Sequence, residues 1–386
     1  MLPDVATKLA AAALCTALVY YVGAKKAAPK PKPTAVPRQA TSATGSGFGP
    51  KDSVTVRVPA TTANLGPGFD SIGMALDIWN ELTVERAATF SFTNEGEGAG
   101  VLPTDETNLI VVGLKAAFEA AGQPMPTLRI HCRNRIPFAR GLGSSSAGIV
   151  AGIIAGLVIA GHELSVHGKE ELLQIAAGIE GHPDNVAPCI YGGLQLGIFT
   201  DDRWYSSRVQ IPDGMQCVLF IPETTGKTSA ARAILPEKID RSDAVYNIGR
   251  AAILVNAFQS GNLPELRHAV QDRLHQPQRG AAQYRHLFPL IDAALEAGAH
   301  GCFLSGAGPS VLAITSGLSG DIFTQVARER AETKVADAMR DAAAQVGVKG
   351  CVFITNPEHR GAHIVKVHPK ISDHMVARYE GDITDL

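Results

Sequence analysis

The segment RGLGSSSAG, Arg140 to Gly148, constrains this chain more than any other, because it follows a strand-like run, LRIHCRNRI, and opens an apolar stretch from Ala147 to Gly161. Gly141 and Gly143 let the backbone approach a ligand closely, and the N–H groups at a helix N-terminus carry partial positive charge. A phosphate suits that arrangement. Ser144, Ser145 and Ser146 add hydroxyls that bond phosphate oxygens or a Mg2+ ion, which keeps most of its waters and takes few protein ligands. The same residues also fit a plain glycine loop whose serines cap the helix, so the loop alone leaves both readings open. Three known phosphate and nucleophile motifs are excluded. Walker A needs a Lys after its glycines; the dinucleotide pattern G-x-G-x-x-G meets Ser146 at its last Gly; the hydrolase elbow G-x-S-x-G meets Ala147. Gly226-Lys227-Thr228 is only a near miss, with Ile221 where the first Gly of Walker A belongs.

The loop sits in a chain of 386 residues with 35 Lys+Arg against 37 Asp+Glu, a balance that argues against a nucleic-acid binder. At roughly 150 residues per domain this length predicts about two domains, and 45% hydrophobic residues supply their cores. The 39 glycines show no every-third period, which excludes collagen. Cys15, Cys132, Cys189, Cys217, Cys302 and Cys351 form no C-x-x-C pair and no zinc spacing, so reduced thiols are expected.

Residues 1–50 differ from the rest. No acidic residue lies between Asp4 and Asp52, while Lys25, Lys26, Lys30, Lys32 and Arg38 are basic and Pro, Ala, Ser and Thr dominate. The uncharged run Leu9 to Ala24 falls short of the roughly 20 apolar residues of a spanning helix and is close to the core of a signal peptide. The segment resembles two-part presequences that lead through the secretory route into plastids. A mitochondrial presequence, a signal anchor and a cytosolic tail are the competing readings. Ala147 to Gly161, rich in Gly and Ala, reads as a buried helix rather than a membrane span, so no membrane partner is expected for the mature protein.

From Ser53 onward short apolar runs alternate with turn signals. SVTVRVPA, ELTVERA, LRIHCRNRI, LQLGIF, QCVLFIP, GCFLSG, SVLAIT, CVFITN and HIVKV read as strands. LIVVGLKAAFEAAG, the apolar stretch after the glycine loop, KEELLQIAAGIEG, AVYNIGRAAILVNAFQSG, LFPLIDAALEAGA and an amphipathic run from Asp321 to Val346 read as helices. Strands and helices without strict alternation predict an α+β architecture in two parts, residues 53–222 and 223–386.

Three further segments carry candidate chemistry. PATTANLGPGFDSIGMALD, Pro59 to Asp77, holds Asn64, Gly66, Gly68 and Asp70 in a polar turn, with Asp70 placed to accept from a hydroxyl or an ammonium. IEGHPDNVAPCIYGG, Ile179 to Gly193, brings Glu180, His182, Asp184 and Asn185 together; a Glu near a phosphate loop suits Mg2+, whereas a lone His also fits a structural role. FLSGAGPSVLAI, Phe303 to Ile314, reads as a hairpin around a glycine turn.

In this order and spacing PATTANLGPGFDSIG, IPFARGLGSSSAG and GCFLSGAGPSV resemble the three motifs of the GHMP kinase superfamily. NLGPGFD, EGHPDNVAP with YGG, TSAAR at Thr228 to Arg232 and DRLHQPQR at Asp272 to Arg279 are most similar to its homoserine kinase family. The resemblance implies a ribosomal protein S5 domain 2-like first domain, a ferredoxin-like second domain and a homodimer. It implies ATP phosphates on Gly141, Leu142, Gly143, Ser144, Ser145 and Ser146, adenine near Asn108, and Mg2+ held by Ser145 and Glu180. L-Homoserine would be bound by Asn64, Asp70, His182, Arg232 and Arg279, with Asn185, Glu180 and Arg232 as the catalytic set. Gln278 and Ser146 depart from the family pattern, which more often has Tyr and Ala there. A mevalonate- or shikimate-type kinase and a non-catalytic sensor of ATP and an amino acid are the alternatives.

Overall fold

The computed structural model describes residues 49–162, 168–316 and 331–369. Almost all of the expected presequence and the first part of the run from Asp321 to Val346 lie outside the described residues.

The first sheet is built on β1 (Ser53–Ala63) and β2 (Ile72–Arg86), an antiparallel pair running from Ser53 opposite Glu85 to Ala63 opposite Gly73, with a shift of register between Pro59 and Ala60. Val54, Val56 and Val58 alternate into the core, which is the period of two a half-buried strand requires. β4 (Leu128–Asn134) and β3 (Ser91–Gly96) extend the sheet on one side and β11 (His363–His368) closes it on the other, in the order β11-β1-β2-β4-β3. β5 (Leu194–Phe199) pairs with the start of β2, and β6 (Trp204–Val209) pairs with β5. Against this sheet pack α2 (Ser144–Ile159), α3 (Gly168–Glu180) and α4 (Val186–Tyr191), and α1 (Leu109–Ala120) packs on α2. The expectation of a buried helix after the glycine loop holds, since α2 is buried from Ser146 to Ile159 except at Gly148. No helix among the described residues is long and apolar enough to cross a membrane.

The second sheet runs β10-β7-β9-β8, with β7 (Met215–Pro222), β8 (Gly301–Leu304), β9 (Val311–Ser316) and β10 (Gly350–Thr355) all antiparallel to their neighbours. Val218, Phe220, Leu304, Val311 and Ala313 face α9 (Leu287–Glu296) and α10 (Ala331–Gln345). The alternate residues Cys217, Leu219, Ile221, Phe303, Leu312 and Ile314 join the core of the first sheet. Among the described residues the remaining α-helices are α5 (Thr228–Ala233), α6 (Arg241–Ser260), α7 (Leu266–Ala269) and α8 (Gln276–Ala282).

The α+β expectation is met, but two strands correct the expected boundaries. β7, inside the stretch 53–222, is an inner strand of the second sheet, and β11, near the C-terminal end, pairs with β1 in the first. The cysteines at 132, 189, 217, 302 and 351 are all free; Cys15 lies outside the described residues.

Candidate active site

Gly141 and Gly143 both take left-handed φ, 74° and 70°, and neither has room for a side chain. A Cβ on Gly141 would stand 2.2 Å from the Ser305 carbonyl, and one on Gly143 would stand 1.9 Å from Thr61 Oγ1. The loop is tied to both sheets. The Thr61 amide donates to the Leu142 carbonyl (3.1 Å), Ser305 Oγ donates to the Gly141 carbonyl (2.7 Å), and Ser305 Oγ also bonds Thr62 Oγ1 at 2.8 Å. The loop then opens α2 without a side-chain cap: Gly143 is the N-cap, so the expectation of a serine cap is corrected and the positive helix end is left to a ligand. Ser144 and Ser145 line the adjoining cavity, and Ser145 Oγ donates to Glu180 Oε1 at 3.0 Å.

Two residues expected to touch ATP through this loop differ. Successive helical residues turn about 100°, so Ser146 points away from Ser145, fully buried, its Oγ without a partner. Leu142 is core, and its carbonyl is already taken by Thr61.

The second cluster is a loop between β1 and β2 in which Asn64, Leu65 and Asp70 all have positive φ, 70°, 44° and 57°. Such backbone persists in non-glycine residues only where the surroundings fix it, and it gathers at functional sites. The fixing contacts are visible: Asn64 Nδ2 donates to the Gly306 carbonyl (2.9 Å), Asn64 Oδ1 accepts from the Asp70 amide (3.0 Å), and Leu65 is buried. Asp70 is thereby held in a two-pronged pair with Arg232, whose Nη1 donates to Oδ2 at 2.9 Å and whose Nη2 donates to Oδ1.

The third cluster follows α3. His182 Nδ1 bonds Asp184 Oδ1, which also accepts from Asn185 Nδ2 at 3.3 Å, while Asn185 Oδ1 accepts from Thr61 Oγ1 at 2.8 Å. Burial pushes the His182 imidazole toward neutrality, but the bond and charge of Asp184, joined by Asp70, outweigh it and raise its pKa above the ordinary value. Asp70, His182 and Asp184 could bring three ligand atoms within 4.8 Å of one another, but Arg232 already occupies Asp70.

Arg279 lies at the base of the site, 1% exposed. Its Nε donates to the Ala231 carbonyl and its Nη1 to the Gly306 carbonyl and His275 Nδ1, each at 3.1 Å, so much of its expected donor fork is committed to the protein. Burial, then the charge of Arg232, lowers its pKa to about 10, and it stays protonated at neutral pH. The Phe69 ring has both guanidinium carbons nearby, 5.4 Å for Arg232 and 5.5 Å for Arg279.

One cavity of about 790 Å3 joins these groups. Asp70, His182, Asn185, Arg232 and Arg279 line its polar end, Gly141, Gly143, Ser144 and Ser145 contribute its middle, and Val58, Leu82, Phe92, Leu102, Pro103 and Phe138 form an apolar end suited to a flat base. Asn108 lines this end too, but its amide is engaged: Oδ1 caps α1 by accepting from the Ile110 amide (2.9 Å), and Nδ2 donates to the Pro103 carbonyl (2.6 Å). It therefore shapes the pocket wall. Thr61, Phe69 and Asp184 had no assigned role in the sequence, although all three lie inside the quoted motif segments.

Residues 108–193 match the family described as GHMP kinases N terminal domain, and residues 254–347 match GHMP kinases C terminal. Homoserine kinase of Desulfitobacterium hafniense is 40% identical over 312 residues, covering 81% of this chain and all of that one. The chain belongs to the homoserine kinase family. Homoserine kinase of Moorella thermoacetica is likewise 40% identical, covering 80% of this chain and 99% of that one. The crystal structure of homoserine kinase from Cytophaga hutchinsonii superposes with a TM-score of 0.70 at 28% identity, covering 82% of this chain and 98% of that one. Mevalonate diphosphate decarboxylase from Staphylococcus aureus, with a TM-score of 0.59 at 16% identity, shares the fold.

Proposed function

We propose that the enzyme transfers the γ-phosphoryl group of ATP to the side-chain hydroxyl of L-homoserine, giving O-phospho-L-homoserine and ADP. The observation that carries this reading is that the glycine loop, with Ser145 on Glu180, shares one cavity with the Asp70–Arg232 pair. An amino acid brings an ammonium for Asp70 and a carboxylate for Arg232 and the free edge of Arg279, and guanidinium is the planar partner a carboxylate suits. His182 and Asn64 then flank the side-chain hydroxyl. The uncapped start of α2 and the loop amides face the phosphates, and the apolar end takes the base.

Ser145 Oγ and Glu180 Oε1, 3.0 Å apart beside the phosphate loop, form a small hard-oxygen pair of the kind Mg2+ uses while keeping its waters. These two residues would hold the ion, and when bound it would neutralise phosphate charge. Phosphoryl transfer depends mainly on positioning and charge neutralisation, because its transition state is loose. Asn185 is no base, so the hydroxyl attacks without a dedicated proton acceptor, its proton leaving to the phosphate or solvent.

Mevalonate and shikimate carry a carboxylate but no ammonium, so they would bring no cation to Asp70, and a non-catalytic sensor has no use for the Ser145–Glu180 pair. A coupled ADP-release assay with L-homoserine, mevalonate and shikimate tests the reading. Stimulation by L-homoserine alone is expected; no stimulation by L-homoserine overturns it. We also propose that residues 1–50 deliver the enzyme to a plastid, on their basic, hydroxylated composition after an apolar run, and that it works as a homodimer, on its family. A fluorescent fusion of residues 1–50 that stays outside plastids, or a monomer mass in light scattering, would refute the respective statement.

A further inference from the structure

We infer that Thr61 is a positioning residue that decides which edge of the Asn185 amide the reaction centre meets; the inference rests on the homoserine kinase reading above. Asn185 begins α4, yet its side chain makes no bond to cap that helix, so its orientation comes from elsewhere. On one edge Thr61 Oγ1 donates to Oδ1 at 2.8 Å; on the other, Nδ2 donates to Asp184 Oδ1 at a longer 3.3 Å, sharing that oxygen with His182.

Thr61 has little freedom to do otherwise. It is fully buried in β1, its amide is bound to the Leu142 carbonyl, and Gly143 presses so close that a Cβ there would stand 1.9 Å from the Thr61 hydroxyl. With Oδ1 facing this hydroxyl and one N–H of Nδ2 facing Asp184, the second N–H is the group Asn185 turns to the cavity it lines. Reversing the amide would set Oδ1 against the Asp184 carboxylate, acceptor against acceptor, and take from the buried hydroxyl its acceptor. The fixed N–H donor is directed at the place where negative charge spreads over the transferring phosphoryl oxygens, and a donor oriented in advance has no reorganisation cost there. The same threonine holds the Leu142 carbonyl of the phosphate loop, so a single residue of β1 sets the loop and the amide in register.

The test uses T61V, which keeps the shape and deletes the hydroxyl, T61S, which keeps the hydroxyl, N185A, and the double variant T61V/N185A, with T61A in place of T61V should the latter not fold. The measurements are kcat, both KM values and ATP affinity by calorimetry. T61V is expected to lose about tenfold in kcat, as displaced reacting groups do, with KM values and ATP affinity within about twofold of wild type. T61S should retain wild-type kcat, and the double variant should be no slower than N185A. Wild-type kcat in T61V, equal damage in T61S, or multiplying losses in the double variant would each overturn the role of Thr61. Absence of homoserine-dependent turnover in the wild type would instead remove the parent reading and this inference with it.

Discussion

A buried hydroxyl without a hydrogen-bond partner costs roughly 1–3 kcal/mol, and Ser146 carries one at a place where its neighbour Ser145 is engaged with Glu180. Ser146→Ala is therefore expected to stabilise the protein by about 1 kcal/mol, raising Tm by a few degrees, while kcat stays at the wild-type value. Thermal melts beside the ADP assay check this; a lower Tm, or a tenfold loss of kcat, would show that the hydroxyl has a partner or a role. The three serines are equivalent in the sequence, and only the helical turn separates a serine facing the phosphate from one facing the core. Asn64, Asp70, Glu180 and His182 stood out in the sequence because each stands beside glycines or in a polar turn, whereas Arg232, inside a short helix, was reached only through the likeness of TSAAR to the family. Asp184 was named in its cluster, but its hold on His182 and Asn185 was not legible, and Thr61 was missed altogether, because Asn185 is 124 positions away from it. Arg279 was legible as a cation, but its burial against Ala231, Gly306 and His275 arises from segments far apart in the chain.

At the scale of elements, the contact between α1 and α2 is a near approach of backbones made possible by glycine. A Cβ on Gly113 would lie 2.4 Å from the Ile149 carbonyl, and one on Gly152 would lie 2.2 Å from the Ile110 carbonyl. In a free helix alanine gains about 1 kcal/mol over glycine. Here that gain is outweighed, because the atom it meets is backbone and one helix must move. Gly152→Ala is expected to destabilise by about 1–3 kcal/mol, seen as a lower midpoint in urea unfolding; a raised midpoint would show the helices free to part. Asn108, which caps α1 on the cavity wall, would move with that helix, linking the glycine packing to nucleotide affinity. The apolar runs announced β1, β2 and α2 through their own periods, since burial on one or all faces is written locally. Pairing is not local. β7 and β11 read as strands, yet their sheets are chosen by partners far along the chain, and β3 and β6, with half-exposed polar residues, carried too weak an alternation to be read at all.

For the whole molecule, four histidines among the described residues make folding sensitive to acid. Burial lowers the pKa of His275, His286, His300 and His363, the last to about 4. Each is held by the fold more neutral than in the unfolded chain, where a histidine titrates near 6.5. As pH falls below about 6.5 the unfolded chain takes up protons that the folded one refuses, so stability is lost toward pH 4. His182 has the opposite sign: its raised pKa contributes stability that is complete below about 6.5 and is lost as pH rises through the folded value. One such group does not balance four. Tm is therefore expected to be lower at pH 5.5 than at pH 7.5, and His363→Gln, which removes one of the four proton-uptake steps, should flatten that difference. An unchanged or higher Tm at pH 5.5 would contradict the argument. His275 ties this acid sensitivity to the site, because its Nε2–H donates to the Gly66 carbonyl while Nδ1 accepts from Arg279. Protonating Nδ1 would remove the acceptor under Arg279 and place a second cation against it, so the acid loss of stability should bring a loss of homoserine affinity before the chain unfolds.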